Sequence, residues 1–461
     1  MQTAPPAPNP SSSSTPATDA TTPKTWHVGT LTYTTGGLIV LFVWLLFGDF
    51  AWSMRDRSIW PMASWYLNEL KVPGLLFGLL MTSFPAMVSM TLIPVISMKS
   101  DRHRGRWGRR IPFLLITTPI AAFGMIGLGL TPIIARWMHA QLPEQNEMVV
   151  AVICFGVFWA VFEFASLAGQ AVFGGLINDV VPKHLLGRFY GIFRAVSLID
   201  GIIFNFWLTG KIPTHYTTLL VVIGTFYGCA FTWMCFRVKE GEYAPPPPKA
   251  TRKAGVKTYF RECFSNRYYI AVFLMMMAAG LAFTPINTFS IPYAKSLGVD
   301  MDHYGKALAT TYLASLILAY FLGWLADRFH PLRVSIATMV GYLAVTACGA
   351  LFATTPSTFL LAFILHGVLS GCYFTSAASL GQRLFPHERF AQFASAAGIV
   401  MAPANIVLAP LVGLFIDGSG GAYRLTFVAG CGMSLLAILI AWKVHRQFMQ
   451  LGGPNGYIAP E

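Results

Sequence analysis

The sequence predicts an all-α integral membrane protein with twelve transmembrane helices in two six-helix repeats. Of the 461 residues, 55% are hydrophobic and only 11% are charged, which is too little charge for a soluble protein of this length. Apolar runs of about 20 residues, the length that crosses a bilayer, recur along the whole chain. Two stretches with matching residues also lie 227 positions apart. Together these observations predict a polytopic membrane protein built from a duplicated unit.

Twelve apolar segments of spanning length are separated by short polar loops. They cover 31–54, 73–98, 111–134, 147–178, 185–209, 215–236, 268–294, 303–326, 331–353, 356–380, 388–416 and 421–443. Residues 1–30 are rich in Pro, Ser, Thr and Ala, and we expect a disordered tail there because such a segment buries little apolar surface. The remaining organisation is predicted as an N-terminal half at 31–236, a linker at 237–267, a C-terminal half at 268–443 and a tail at 444–461.

The basic residues indicate how the chain is oriented. The net charge is +13, but the Lys and Arg residues lie in short loops between apolar runs, so an orientation signal is favoured over a nucleic-acid partner. With the N-terminus inside, the inner segments hold 23 Lys and Arg residues and the outer loops hold 8. Both termini are therefore predicted to be cytoplasmic, in a plasma (inner) membrane.

The two halves of the chain carry the same residues at the same spacing. A first set precedes the second segment and a similar set precedes the eighth: Tyr66, Leu70, Val72, Phe77 and Gly78, then Tyr293, Leu297, Val299, Tyr304 and Gly305. Asp101 and Asp327 follow these two segments at an offset of 226. Agreement at two places predicts two structural repeats rather than chance similarity.

The loop from Ser100 to Phe113 is the most basic short stretch between two apolar segments. It reads SDRHRGRWGRRIPF, with five arginines and one aspartate. A loop this basic belongs in water on the cytoplasmic side of a membrane. A reduced copy occurs at Gly323–Arg333, after the eighth segment.

Four charged side chains are predicted to lie inside apolar segments: Asp49, Glu163, Arg194 and Asp200. A charge inside a span costs at least about 2.5 kcal/mol on insertion scales, so such residues usually mark a substrate or ion pathway. All four lie in the N-terminal half, which places the predicted substrate and ion chemistry there. We expect Glu163 and Asp200 to flank a cavity, where one of them takes up a coupled proton.

Glu163 is the strongest single candidate because it lies far from either end of a long apolar segment. Trp159, Glu163, Ser166 and Gln170 fall on one face of a helix at this spacing. An indole, a carboxylate and an amide in one line suit a sugar, since rings stack on the indole and hydroxyls donate to the carboxylate. A structural pairing of Glu163 with a neighbouring helix is the alternative.

The basic loop resembles the loop after the second helix of major facilitator superfamily transporters. That resemblance implies a cytoplasmic gate made of Asp101, Arg102, Arg106, Arg109, Arg110, Asp327 and Arg328. Gly48-Asp49-Phe50 and the Arg106–Leu115 stretch are similar to motifs of glycoside–pentoside–hexuronide cation symporters and sucrose–proton symporters. This narrower likeness implies that Asp49 and Glu163 contact a sugar or couple the cation, and Arg194 could replace an arginine that sucrose symporters carry on another helix.

The sequence therefore predicts a secondary active transporter, a proton- or sodium-coupled symporter of a sugar or glycoside, working as a monomer without a cofactor or metal. The alternative is a facilitator-type transporter of a non-sugar substrate, such as an organic anion carrier or a drug exporter. An enzyme is not expected, since no HExxH motif, Walker loop or Ser/His/Asp set is present. A transport-inactive sensor with the same fold stays possible. The seven cysteines show no CxxC spacing and predict neither disulfides nor a metal site.

Overall fold

A computed structural model describes residues 25–243, 252–386 and 389–460. Eleven continuous helical segments in these ranges are long and apolar enough to cross a membrane. The longest, Lys183–Arg237, has 55 residues and turns at Thr209–Lys211. The turn brings both of its ends beside the same loop region: His184, near the start, stacks on Trp26, and Glu240 follows the last turn. It therefore contains two crossings, which confirms the predicted total of twelve.

The elements are named in chain order. The strands are β1 (Thr25–Val28) and β2 (Leu31–Thr34). The helices of the first half are α1 (Thr35–Glu69), α2 (Gly74–Arg102), α3 (Ile111–Gln141), α4 (Glu147–Val180), α5 (Leu186–Ile203) and α6 (Ile212–Arg237). The remaining helices are α7 (Arg252–Phe264), α8 (Arg267–Ser296), α9 (Met301–Phe329), α10 (Pro331–Phe352), α11 (Pro356–Ala377), α12 (Leu380–Leu384), α13 (Phe390–Gly418), α14 (Leu425–Gln450) and α15 (Gly453–Gly456).

Helix α1 is longer than its apolar run predicted. Thr34 caps its first turn by accepting a hydrogen bond from the Gly37 amide at 3.1 Å. The helix continues past residue 54 to Glu69 and stops only where Lys71 takes a positive φ of 55° ahead of Pro73. Residues 55–57, which the sequence analysis placed in an outer loop, therefore lie inside the helix.

The two halves meet along two pairs of helices, α2 with α13 and α5 with α9. Two glycines that are equivalent in the sequence repeat lie at these crossings. A Cβ atom on Gly78 would approach the Ala409 carbonyl oxygen to 2.8 Å, and one on Gly305 would collide with the Asn205 carbonyl. The internal repeat thus places the same small residue at the same contact in each half.

The bundle has two faces that are named here by their position in the chain. The terminal face is the one at which α1 begins and α14 ends, and the opposite face is the other. Helix α2 is interrupted near its start by a π-helical turn at Leu79–Ser83, and α5 continues into another at Phe204–Leu208. Such turns let a helix bend where it packs closely, and both lie near a crossing between the halves.

The terminal face carries ordered structure where a disordered tail was expected. Residues 1–24 lie outside the described ranges, but 25–34 form an antiparallel hairpin that turns at Gly29, whose φ is +57°. The Thr30 hydroxyl accepts a hydrogen bond from the Glu242 amide at 2.8 Å. This contact and the stacking of Trp26 on His184 hold the hairpin against the bundle, so the expected tail is corrected at residues 25–30.

Candidate functional site

Three consecutive charged residues in the middle of α1, Arg55, Asp56 and Arg57, form the centre of the site. The Arg55 side chain is only 1% exposed, and its guanidinium lies 3.9 Å from the centre of the Trp52 ring and 4.8 Å from that of Tyr227. It donates to Asp56 at 2.5 and 3.1 Å and to the Tyr227 hydroxyl at 3.3 Å. Aromatic faces and a carboxylate together offset the cost of burying this charge.

Glu163 lies close enough to Arg55 for the two charges to interact electrostatically. Its side chain is 7% exposed, yet among the described residues its carboxylate forms no ion pair or hydrogen bond. The positively charged neighbour of Glu163 in the structure is Arg55 on α1. A buried carboxylate with an opposite charge nearby but no direct bond is free to bind a proton, a cation or a substrate hydroxyl.

Arg57 reaches in the other direction and joins the two halves. Its guanidinium donates to the Ser197 carbonyl at 3.2 Å and the Ser197 hydroxyl at 2.8 Å, both on α5. A third bond, 3.1 Å long, reaches the Tyr312 hydroxyl on α9 of the C-terminal half. Arg57 therefore links α1, α5 and α9 at mid-bundle.

Asp49 and Asp200 are buried carboxylates beside this arginine. They are 1% and 0% exposed, and both oxygens of Asp200 and one of Asp49 have no hydrogen-bond partner among the described residues. The other Asp49 oxygen accepts from the Ser53 hydroxyl at 3.4 Å. Asp49 interacts electrostatically with Asp200, and each interacts with Arg57. Unpartnered buried carboxylates are unstable as anions, so this pair is suited to holding a proton or a cation.

A cavity of about 430 Å³ lies between the halves next to Arg57. Helix α1 contributes Asp56, Arg57 and Trp60, while α8, α9 and α11 contribute the other wall. That wall consists of Asn287, Ser290, Ile291, Tyr304, Leu308, Tyr312 and Phe363. Its size falls in the range of small-molecule sites, which mix aromatic surface with a few polar groups.

The structure does not assemble the predicted stripe on α4 into one surface. Trp159 is fully buried, and its indole N–H donates to the Leu80 carbonyl at 3.0 Å, so its ring is unavailable as a stacking platform. Gln170 is exposed and lies seven residues beyond Glu163. Arg194 is exposed one turn before Ser197 and interacts electrostatically with Arg57 and Tyr312.

The basic loop forms a charge cluster within the first half at the terminal face. Arg110 bonds Asp101 at 2.5 Å and Asp179 at 3.1 Å, and Arg109 bonds Asp179 at 2.5 and 2.9 Å. The hydrogen bond to Asp179 raises the pKa of Arg109, against the opposing effect of burial. Arg102 is exposed, and Arg106 lines an open cavity of about 760 Å³ on this face.

Glu240, which the sequence analysis did not single out, caps helix α3 in this cluster. Its carboxylate accepts hydrogen bonds from the backbone amides of Arg109, Arg110 and Ile111 at 3.0, 2.8 and 2.7 Å, and from the Tyr243 hydroxyl at 2.8 Å. A carboxylate is well suited to the partial positive charge of a helix N-terminus. No local sequence signal could reveal this cap, because Glu240 lies 130 residues from Arg110.

The second copy of the predicted gate also bonds within its own half. Asp327 lies 4.0 Å from Arg383, and the Arg328 guanidinium lies 5.3 Å from the Trp324 ring. Asp300, Asp302 and His303 lie close enough together to hold a metal ion. Asp300 instead caps α9, because its carboxylate accepts a hydrogen bond from the His303 amide at 2.8 Å.

Polar contacts between the halves, among the described residues, lie from mid-bundle to the opposite face. Both oxygens of Asp417, at the end of α13, accept from the amides of Gly74 and Leu75 at the start of α2, at 2.7 and 3.0 Å. Lys295 forms an ion pair with Glu69 at the ends of α8 and α1. The opposite face is therefore closed in this conformation.

The comparisons with known proteins agree on the family and the fold. The family model of the Major Facilitator Superfamily matches residues 41–293 and 272–450. A search of curated proteins gives no significant match. Solved structures with the same fold include a point mutant of the nucleoside transporter NupG, at 12% identity and a TM-score of 0.69 over 88% of this chain and 99% of that one.

Two further solved structures are similar over most of their length. The D-xylose–proton symporter has 13% identity and a TM-score of 0.64, covering 88% of this chain and 98% of that one. A bacterial homologue of the human lysosomal transporter Spinster, inward-facing and unoccupied, has 14% identity and a TM-score of 0.64, covering 92% and 98%. At these identities the likeness establishes the fold alone.

Proposed function

The chain belongs to the Major Facilitator Superfamily, and we propose that it is a proton- or sodium-coupled symporter of a sugar or glycoside. Members of this family are multi-pass integral membrane proteins, and the chain is a secondary transporter of a small molecule, not an enzyme. One arrangement supports sugar symport: a polar and aromatic cavity between the halves with unpaired buried carboxylates beside it.

The cavity suits a polyhydroxylated ring. Trp60, Tyr304, Tyr312 and Phe363 supply aromatic surface, on which the apolar faces of a sugar can stack. Asp56 accepts hydrogen bonds from hydroxyl groups, and its side chain is 46% exposed although it is bonded to Arg55. Because Trp159 is packed against α2, the aromatic contact with sugar is proposed at Trp60 rather than on α4.

The buried carboxylates would couple transport to a cation. Asp49, Glu163 and Asp200 lie on three helices of the first half, and each has at least one carboxylate oxygen without a hydrogen-bond partner among the described residues. Loading a proton or a sodium ion removes the cost of such a charge, which lets the cation-bound form change between its two conformations more readily than the empty form. The cation would enter and leave as the two halves rock about the site.

The basic terminal face is proposed to be cytoplasmic. Arg55 and Arg57, which were counted with the outer loops, lie inside α1, and their removal from that count strengthens the charge bias. The closed contacts at Asp417 and Lys295 would then form the outer gate. Asp101, Arg109 and Arg110 bond inside one half in this conformation and would contribute to the inner gate when the halves rock together.

A second candidate substrate is a small organic anion. Arg57 lines the cavity, and Arg194 lies near it on α5, so a carboxylate could be bound there by charge-assisted hydrogen bonds. Uptake of a sugar acid without uptake of neutral sugars would favour this candidate.

The test is uptake into proteoliposomes by the purified full-length chain. A panel of radiolabelled D-glucose, D-xylose, sucrose and D-glucuronate is offered with and without an inward proton or sodium gradient. We expect gradient-driven accumulation of one sugar, and we expect Glu163→Gln to lose accumulation while keeping sugar exchange. Glu144→Gln, in the exposed α3–α4 loop, is the matched control and should accumulate normally. Folded protein that moves no sugar under either gradient would refute the proposal.

A further inference from the structure

The C-terminal half contains a buried polar network that ends at the cavity wall. The Tyr342 hydroxyl on α10 lies 2.8 Å from Nδ1 of His366 on α11, and Nε2 of His366 lies 3.0 Å from Oδ1 of Asn287 on α8. Tyr342 and His366 are 0% and 1% exposed. Asn287 is exposed and lines the cavity. The network therefore connects three helices and presents a single group, the Asn287 amide, to a ligand.

The hydrogen atoms in this network can be assigned from its geometry. A carboxamide oxygen only accepts, so Nε2 of His366 must donate to Oδ1 of Asn287. In a neutral imidazole the other nitrogen, Nδ1, is then an acceptor. The Tyr342 hydroxyl lies 2.8 Å from Nδ1 and 3.2 Å from the Ala282 carbonyl oxygen, and we assign its single proton to the nearer acceptor, Nδ1. Phe283 and Phe363 surround the His366 ring, and this apolar setting favours the neutral ring. The NH₂ group of Asn287 is left to face the cavity.

We propose that Asn287 is a specificity-determining residue that donates a hydrogen bond to a hydroxyl oxygen of the sugar. His366 and Tyr342 are positioning residues that hold its amide with the NH₂ group toward the ligand. This inference rests on the proposed sugar symport and adds a contact in the C-terminal half, which holds none of the four charged residues that sequence analysis predicts inside the spans.

The arrangement is suited to discrimination between closely related sugars. A side chain fixed by a buried network loses little freedom when it binds, so its hydrogen bond is directional as well as favourable. A sugar without the matching hydroxyl leaves the donor unpaired and binds more weakly. Across the cavity, Arg57 and Asp56 bind the other side of the same ring, so Asn287 reads one position of the substrate.

The first experiment measures uptake kinetics in proteoliposomes, with the radiolabelled sugar that the wild-type chain accumulates. Asn287→Ala should raise KM about tenfold, with Vmax within about twofold of wild type, because one hydrogen bond is lost from binding. Asn287→Asp, which replaces the donor by an acceptor of the same size, should do the same. One monodeoxy analogue of the sugar that competes poorly with the wild type should compete as well as its parent in Asn287→Ala.

The second experiment tests the positioning role. His366→Leu should raise KM as much as Asn287→Ala does, and the double variant should be no worse than either single variant, since one unit has been removed. His366→Gln keeps an N–H donor and should restore KM to within about threefold of wild type. Asn178→Ala is the control, because Asn178 lies at the terminal end of α4, where it donates to the Gly174 carbonyl and accepts from the Tyr190 hydroxyl, and it does not line the cavity.

The outcomes separate the inference from the function on which it rests. An unchanged KM in folded Asn287→Ala, with normal wild-type uptake, would overturn the inference and leave sugar symport standing. Multiplying effects of His366→Leu and Asn287→Ala would overturn the positioning role. If the wild-type chain accumulates no sugar at all, the proposed function and this inference are both overturned.

Discussion

Asp417, the last acidic residue of α13, caps the first turn of α2 in the other half of the molecule, with its Oδ1 atom 2.7 Å from the Gly74 amide. The second oxygen binds the next amide at 3.0 Å. A helix N-terminus usually receives its cap from its own chain segment. Here the cap comes from 343 residues away, so it exists only while the opposite face is closed.

Asp417→Ala should shift the molecule toward the state in which this face is open. Losing an N-cap costs about 1 kcal/mol, or roughly a fivefold change in the ratio of the two states. Pulsed EPR distances between labels on the α1–α2 and α13–α14 turns, in a chain whose seven cysteines are replaced, would measure this. Asp417→Asn keeps an amide oxygen to cap the helix and should change the distances less. Identical distance distributions for all three chains would contradict this role of Asp417.

Gly413→Ala should open the same face more strongly than Asp417→Ala. A Cβ atom on Gly413 would collide with the Gly74 carbonyl, which is backbone and cannot move aside. Gly418→Ala is a matched control five residues later on the same helix, because its Cβ would meet nothing within 4 Å. The same EPR distances report the result, and a Gly413→Ala chain that remains as closed as the control would contradict the structure.

Arg55→Met should lower the thermal stability of the detergent-purified protein. The change leaves Glu163 buried without its positive neighbour and leaves Asp56 without its bond, and a buried charge whose compensating charge is removed destabilises the folded state. Adding Glu163→Gln should recover part of the loss, since the uncompensated charge is then gone. Strictly additive effects on the unfolding temperature would show that the two residues do not interact.

Arg57→Lys should reduce transport about tenfold or more, because an ammonium group cannot reproduce the three bonds to Ser197 and Tyr312. Initial uptake rates in proteoliposomes measure the effect. Arg136→Lys is the control, since Arg136 is exposed and bonds the carbonyl of Pro132 on its own helix. Equal rates for the two variants would remove Arg57 from the transport site.

Lowering the pH should destabilise the terminal face at His330. Burial, together with repulsion from Arg383 and Arg333, lowers the pKa of His330 from 6.5 to about 4. The unfolded chain therefore binds more protons between these values, and the free energy of unfolding falls as the pH drops from 6.5 toward 4. Thermal unfolding of wild type and His330→Asn at pH 7.5 and 5 tests this.

The His330→Asn variant keeps a cap for α10, where His330 accepts a bond from the Leu332 amide at 3.3 Å, and Asn tolerates the positive φ of 75°. Its unfolding temperature should depend less on pH than that of the wild type. The same pH dependence in both proteins would assign the effect to other groups.

The architecture was predictable from the sequence because its signals are local. Span length, loop charge and the 227-residue repeat are each visible along the chain. Gly78 and Gly305 are equivalent positions in the sequence, and the structure shows that the repeat preserves a contact between the halves.

The centre of the site was less predictable because it depends on contacts between distant segments. Sequence analysis places Arg55 and Arg57 beyond the end of the first span, since charges usually end an apolar run. Burial of Arg55 requires Tyr227, which lies 172 residues away. The available signal was the absence of glycine between Gly48 and Gly74, with Trp60 and Trp65 continuing the apolar pattern on either side of Pro61.

Helical spacing identifies the face that Glu163 shares with Trp159 but not what that face meets. In the structure the Trp159 indole donates to the Leu80 carbonyl, so Trp159 packs against α2 while Glu163 lies near Arg55. Periodicity defines which residues are neighbours on one helix, and only the packing of other helices decides which of them reach a ligand.

The cap that Glu240 places on α3 also sets the length of the tether between the halves. Residues 238–243 follow the last helix of the first half, yet Glu240 is hydrogen-bonded to the basic loop and the Tyr243 ring lies 4.2 Å from the Arg109 guanidinium. The chain that must accommodate the rocking motion therefore starts after Tyr243 rather than at Arg237. If α3 tilts, Glu240 must move with it, so the motion of the first half is transmitted to the start of the segment that connects it to the second half.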